Sequence, residues 1–124
     1  MSRTVVVVDD EDDIREVAVL ALEAVQGWQV HAVGSGAEAV DVVARVRPDA
    51  VLLDVMMPGQ DGPVTLAALH RSTQTADVPV VFLTAKTQAR EVEELLAMGA
   101  AGVLAKPFDP MALGDDLAAL LGWA

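Results

Sequence analysis

Five residues have types and spacing that could do chemistry together: Asp9, Asp10, Asp54, Thr84 and Lys106. Four of them directly follow short apolar runs. Asp9 comes after Val5–Val8, Asp54 after Ala50–Leu53, Thr84 after Pro79–Leu83 and Lys106 after Gly102–Ala105, while Asp10 stands next to Asp9. Brought to one place, they would offer three carboxylates, a hydroxyl and an ammonium. Two carboxylates ~4 Å apart repel by about 4 kcal/mol at an effective dielectric of ~20, so three together call for a cation. Oxygen donors suit a hard ion such as Mg²⁺, which keeps several waters and uses one or two carboxylates plus phosphate oxygens. With that charge balanced, a phosphoryl donor could approach Asp54. Lys106 would be a second positive contact and Thr84 a hydrogen bond to the transferring oxygens, and phosphoryl transfer asks for little more than positioning and charge stabilisation.

Each residue alone has an ordinary reading. Asp-Asp after an apolar strand is common helix-start chemistry, a lone Thr at a turn is usually a cap, and a lone Lys is usually solvated. The case rests on conjunction, and the conjunction depends on the elements that carry the residues. Val5-Val6-Val7-Val8 and Ala50-Val51-Leu52-Leu53 are apolar at every position, as in strands buried on both faces of a parallel sheet. Trp28–Val33, Pro79–Leu83 and Gly102–Ala105 complete five predicted strands. Between them the period changes to helical. Asp13–Gln26 carries Ile14, Val17, Ala18, Ala21 and Val25 at helical spacing, with Gly27 placed to end it. Ser35 and Glu38 form a capping box for a helix through Val46, stopped by Pro48. Pro63 suits the first turn of a helix reaching about Arg71. Thr87 can cap a fourth helix that Gly99 terminates. Asp109-Pro110 offers an N-cap and first-turn proline for a fifth, with Leu113, Leu117, Leu120 and Leu121 as its stripe.

Five strands alternating with five helices predict a doubly wound α/β sheet in one domain over residues 1–124. In such sheets ligands bind at the C-terminal edge of the strands, where strand order reverses. The predicted strand ends bring Asp9, Asp54, Thr84 and Lys106 to that edge. There are no internal repeats or linkers, and the last helix runs to the chain end, so no output domain is expected within these residues. The chain has 8 basic and 19 acidic residues, a formal charge of −11, which argues against binding nucleic acid or an anionic membrane surface. No apolar run approaches the ~20 residues of a membrane span. The absence of cysteine excludes disulfides and thiolate sites and is compatible with a cytoplasmic location.

At these residues the sequence resembles the response-regulator receiver domain of two-component signalling, stand-alone and chemotaxis-regulator-like. The resemblance lies in Val7-Val8-Asp9-Asp10-Glu11, in Leu53-Asp54 through Met57-Pro58-Gly59-Gln60-Asp61-Gly62, in Leu83-Thr84-Ala85-Lys86 and in Ala105-Lys106-Pro107-Phe108. It implies a flavodoxin-like five-stranded sheet of order 2-1-3-4-5. It also implies Asp54 as phosphoacceptor, and Mg²⁺ held by Asp9, Asp10, Asp54 and the Met56 backbone carbonyl. Thr84 and Lys106 would contact the phosphoryl group, and the Lys106–Pro107 bond would be cis. The implied donor is a sensor histidine kinase or phosphotransfer protein. The implied output is a surface of the fourth helix, fifth strand and fifth helix acting on a downstream protein, in a monomer or a phosphorylation-dependent dimer. Such a domain catalyses only its own phosphotransfer and dephosphorylation.

Three positions depart from the family's habits. Val103 stands where an aromatic residue often couples to the threonine. Met56 and Lys86, two residues after Asp54 and Thr84, border the path of the attacking water; an apolar Met56 and a long basic Lys86 predict a long-lived phosphorylated state. Two other functions fit the residues less well. An aspartyl-phosphate hydrolase of the haloacid-dehalogenase type needs a second Asp at the place of Met56 and room for a cap. A phosphorylation-independent pseudo-receiver is opposed by retention of all five site residues. His31 and His70 have no partner at metal-ligand spacing, and Met56 and Met57 are expected to pack beneath their loop. Trp28 is expected to anchor a strand start, with Trp123 either exposed or folded back on the last helix. Glu91, Glu93 and Glu94 are expected to form a solvated face.

Overall fold

The computed structural model describes residues 2–123. Five strands, β1 (Thr4–Val8), β2 (Gln29–Val33), β3 (Ala50–Asp54), β4 (Val80–Thr84) and β5 (Gly102–Ala105), form one sheet of order β2-β1-β3-β4-β5. Every pair is parallel. The helices are α1 (Asp12–Leu20), α2 (Gly36–Val46), α3 (Gly62–Arg71), α4 (Ala89–Ala97) and α5 (Leu113–Leu121). The predicted class and order hold.

Alternation along the strands explains the two layers, since successive side chains point to opposite faces. Val6, Val8, Val51 and Leu53 pack with Ala39, Val43, Leu66, Leu69 and Leu95 from α2, α3 and α4. Val5, Val7 and Leu52 pack with Ala18, Leu22, Leu113 and Leu117 on the other face. Covered on both faces, β1, β3 and β4 must be apolar throughout, and each fully buried Val or Leu contributes about 1.5–3 kcal/mol of transfer free energy. The polar residues therefore sit at the strand ends.

Several local expectations are corrected. The first helix widens into a π-helical turn over Ala21–Val25. The buried stripe is Ala18, Ala21 and Leu22, while Val17 and Val25 are exposed. Gly27 then closes the helix at φ 74°. The capping box is half formed: Ser35 Oγ accepts from Glu38 N–H at 3.2 Å, but the Glu38 carboxylate accepts from Gly34 N–H. Arg47, in left-handed conformation, ends α2 just before Pro48. Gln88, not Thr87, is the N-cap of α4, through extended backbone without a side-chain bond. Asp109 accepts from Met111 N–H at 2.9 Å and so caps a turn, with α5 starting only at Leu113. Met57 is buried as expected, but Met56 is 66% exposed and packs under nothing. Trp123 folds back, its ring edge-on to Trp28 with centroids 5.3 Å apart.

Candidate functional site

β1, β3, β4 and β5 all end at the same rim, and each delivers one polar group there. Asp54 and Thr84 are the last residues of β3 and β4, while Asp9 and Lys106 come directly after β1 and β5. Neighbouring strands run in register, Val8 beside Leu53, Asp54 beside Leu83 and Thr84 beside Ala105. Asp9, Asp54 and Thr84 are almost fully buried, at 1%, 3% and 2% exposure. Asp10 is exposed at the mouth. The carboxylates of Asp9, Asp10 and Asp54 each present an oxygen, and these three oxygens lie within 4.8 Å of one another.

Among the described residues Lys106 is the only cation bridging the buried pair: its Nζ lies 2.8 Å from Asp9 Oδ2 and 3.2 Å from Asp54 Oδ1. Backbone donors add one bond to each carboxylate. Glu11 N–H donates to Asp9 Oδ1 at 2.9 Å and Met56 N–H to Asp54 Oδ1 at 3.3 Å. Among the described residues Asp54 Oδ2 is buried without any hydrogen-bond partner, and Asp9 Oδ2 meets only the Lys106 ammonium. An orphaned carboxylate oxygen is costly in a buried site, and the titration of Asp54 reflects it. Burial, with Asp9 acting in the same direction, pushes the Asp54 carboxyl from 3.8 up to about 6, against the pull of Lys106 and the Met56 N–H. For Lys106, burial acts to lower the ammonium, but its bonds to Asp9 and Asp54 prevail and hold it above its ordinary value. One lysine charge is therefore not enough for three carboxylates.

The three acidic residues could hold a metal ion. The donor set fits a hard dication: all oxygen, partly buried, with two buried oxygens, Asp9 Oδ2 and Asp54 Oδ2, lacking a hydrogen-bond partner among the described residues and one carboxylate open at the mouth. The Lys106–Pro107 bond is cis, as the resemblance implied. Thr84 Oγ1 accepts from Lys86 N–H at 3.0 Å, which leaves its hydroxyl proton to be donated. Thr84 also lines a cavity of about 260 Å³ with Val55, Lys86, Glu91 and Glu94. Glu91 is accordingly half-buried rather than solvated. Val103 is half-buried against the α2–α3–α4 core. His31 and His70 are exposed and take no part in the cluster.

Two contributors escaped the sequence. Gly62 lies so close to β3 that a Cβ would stand 2.6 Å from the Asp54 carbonyl oxygen and 2.8 Å from Val55 Cα. Its N–H donates to Val55 O at 2.9 Å, and Asp61 caps α3 by accepting from Val64 N–H, so the loop after Asp54 is clamped against its own strand. The glycine was visible, but the close approach was not. Arg15 donates from Nη1 to the Asp9 carbonyl at 2.6 Å. Nothing in the spacing of Asp9 and Arg15 signals that bond.

Comparison with known proteins agrees with this geometry. The family model of the response regulator receiver domain matches residues 5–118. The phosphate regulon transcriptional regulatory protein PhoB of Pseudomonas aeruginosa is 36% identical over 121 residues, 98% of this chain and 52% of that protein. The DNA-binding response regulator MtrA of Mycobacterium tuberculosis is 36% identical over 113 residues, 91% of this chain and 48% of its own length. The chain thus spans about half the length of these curated relatives. The solved structure of the chemotaxis response regulator CheY4 of Vibrio cholerae superposes with a TM-score of 0.89 at 31% identity, covering 97% of this chain and 99% of that one. With its sheet order, its buried carboxylates at the strand ends and this match over nearly the whole chain, the protein belongs to the response regulator receiver domain family.

Proposed function

We propose that this chain is a phosphorylation-controlled switch whose phosphoacceptor is Asp54. The observation that carries the reading is the buried Asp54 Oδ2, which has no hydrogen-bond partner in a cluster of three carboxylates answered by one lysine. Asp9, Asp10 and Asp54, with the Met56 backbone carbonyl, would hold Mg²⁺. When bound, that ion supplies positive charge to the carboxylates and to the phosphoryl oxygens. The remaining work belongs to the chain's own side chains. Above pH ~6 Asp54 is mainly ionised and can attack phosphorus. The new bond joins an Asp54 oxygen to phosphorus; the bond that breaks joins phosphorus to the imidazole nitrogen of a phosphohistidine, which keeps the electron pair. Lys106, already within reach of Asp54, would follow the charge onto the phosphoryl oxygens, and the free proton of Thr84 would be donated to one of them.

The donor would be a sensor histidine kinase or phosphotransfer protein; among the described residues no helix is long and apolar enough to cross a membrane. Movement of Thr84 toward the phosphoryl group would reshape the α4–β5–α5 face, a local charge event biasing a two-state element, and that face would act on a downstream protein. Chemistry is confined to self-phosphorylation and self-dephosphorylation. The hydrolase alternative gains no support, since Met56 occupies the acid–base position and points outward.

The test is incubation with Mg²⁺ and acetyl phosphate, read by intact mass and peptide mapping. The expected result is one phosphoryl group on the peptide containing Asp54, none without Mg²⁺ and none in Asp54→Asn. Labelling that persists in Asp54→Asn would refute the assignment.

A further inference from the structure

The loop that carries Asp9 and Asp10 leaves the sheet abruptly. Asp9 N–H still donates to Val33 O at 3.2 Å, extending the β1–β2 ladder by one bond, but the β1–β3 pairing ends at Val8. The Asp9 carbonyl therefore needs a partner outside the sheet, because a backbone acceptor buried without one is costly. Arg15, on the first turns of α1, supplies it: Nη1 donates to Asp9 O at 2.6 Å. The other guanidinium nitrogen, Nη2, pairs with Asp12 on the same helix. The side chain is 23% exposed and lies against Gly34 at the end of β2, where a Cβ would stand 3.0 Å from Nη1.

An arginine paired at i,i+3 on a helix is ordinarily a surface decoration of small value. This one differs in what it touches. Its partners are a backbone carbonyl and Asp12, and neither is a carboxylate of the cluster. Its charge is answered by Asp12, so it competes little with a cation among the three acids. Its planar fork lets it bridge two acceptors at fixed separation, which a point-charge ammonium does less well. The peptide it grips joins Asp9 to Asp10, two of the three acidic residues that could hold a metal.

We infer that Arg15 is a positioning residue for the cation site, bracing the Asp9–Asp10 peptide from α1 so that both carboxylates are aimed before the ion arrives. This rests on the functional reading above. Residues that orient metal ligands through hydrogen bonds typically change metal affinity by about tenfold or more when removed.

Charge and positioning make opposite predictions, which gives the test its sign. Removing a positive charge close to a dication site would, by electrostatics alone, tighten binding. Removing a brace weakens it. Mg²⁺ affinity is measured by calorimetry at pH 7.5 on the full chain for wild type, Arg15→Ala and Arg15→Lys. The expected result is weakening of about tenfold in Arg15→Ala, with Arg15→Lys intermediate because the lysine reaches only one acceptor at a time. In the metal-free protein, the Glu11 amide, which donates to Asp9 Oδ1, exchanges faster in Arg15→Ala. Equal or tighter Mg²⁺ binding by Arg15→Ala overturns the inference, even if that variant melts earlier. Should Arg15→Ala fail to fold, Arg15→Lys binding as tightly as wild type overturns it too. A wild type that takes up no Mg²⁺ overturns the functional reading instead, so the two failures are distinguishable.

Discussion

The two rims of the sheet handle charge in opposite ways. At the C-terminal rim, Asp9 and Asp54 are buried, share one lysine and leave Asp54 Oδ2 without a partner. At the N-terminal rim, charged and polar groups are paired and close to solvent. Arg3 lies over the Trp123 ring at 4.5 Å, and Trp123 meets Trp28 edge-on. Gln26 Nε2 donates to Asp115 at 3.1 Å and Thr4 N–H to Asp49 at 2.8 Å. The same strands end in strain at one side and in satisfied contacts at the other. The lesson is that the first rim spends stability on a site that a cation and a phosphoryl group can relieve, while the second only holds the layers together.

That contrast can be broken most severely at residue 54. Asp54→Asn should lose all labelling by acetyl phosphate, as the mass measurement reads directly, whereas Trp123→Ala should label at the wild-type rate. Stability should move the other way. The folded carboxyl of Asp54 titrates at about 6 against 3.8 unfolded, so the native state binds the proton more tightly. Its contribution is therefore fully present below pH ~4 and is lost as pH rises through ~6. In EDTA at pH 8, urea unfolding should find Asp54→Asn more stable than wild type by about 1–3 kcal/mol, with the advantage vanishing near pH 4. A constant difference across that range would mean that ionisation is not the cause.

Lys106→Ala should destabilise the metal-free protein at pH 8 by on the order of 3 kcal/mol, because both buried carboxylates lose the ammonium they share. It should also raise the Asp54 pKa further. At the opposite rim Trp123→Ala should cost about 1–2 kcal/mol, from the aromatic pair and the Arg3 contact, and leave Mg²⁺ binding unchanged. Loss of Mg²⁺ binding in that variant would blur the division between rims. The smallest effect is kinetic. Met56→Asn, replacing an exposed apolar side chain at the mouth with a polar one, should speed dephosphorylation by about tenfold or less, under about 1.4 kcal/mol of barrier. An unchanged or slower rate would remove Met56 from the account of lifetime.

Much of this division was legible in the sequence, for a physical reason. Strands buried on both faces must be apolar throughout, so a polar residue can appear only where the strand stops; Val5–Val8 before Asp9 and Ala50–Leu53 before Asp54 are direct records of that constraint. What escaped depends on contacts between elements. Ala18, Ala21 and Leu22 of the first helix share one face at ordinary helical spacing and form its buried stripe, but the π-helical turn over Ala21–Val25 has no signature in local spacing. Asp109-Pro110 carries good capping chemistry, yet it serves a turn, because α5 begins where Leu113 can enter the core. Trp123 left both of its options open until Trp28 and Arg3 were seen beside it. The bond from Arg15 to the Asp9 carbonyl has no sequence signature, since its acceptor is backbone.

The most direct measurement is the carboxyl carbon shift of Asp54, followed by NMR as a function of pH with and without Mg²⁺. Crowded, half-answered carboxylates predict titration near pH 6 in EDTA and a clear downward shift when Mg²⁺ is added. Titration near 4 in both conditions, unmoved by the ion, would contradict the account.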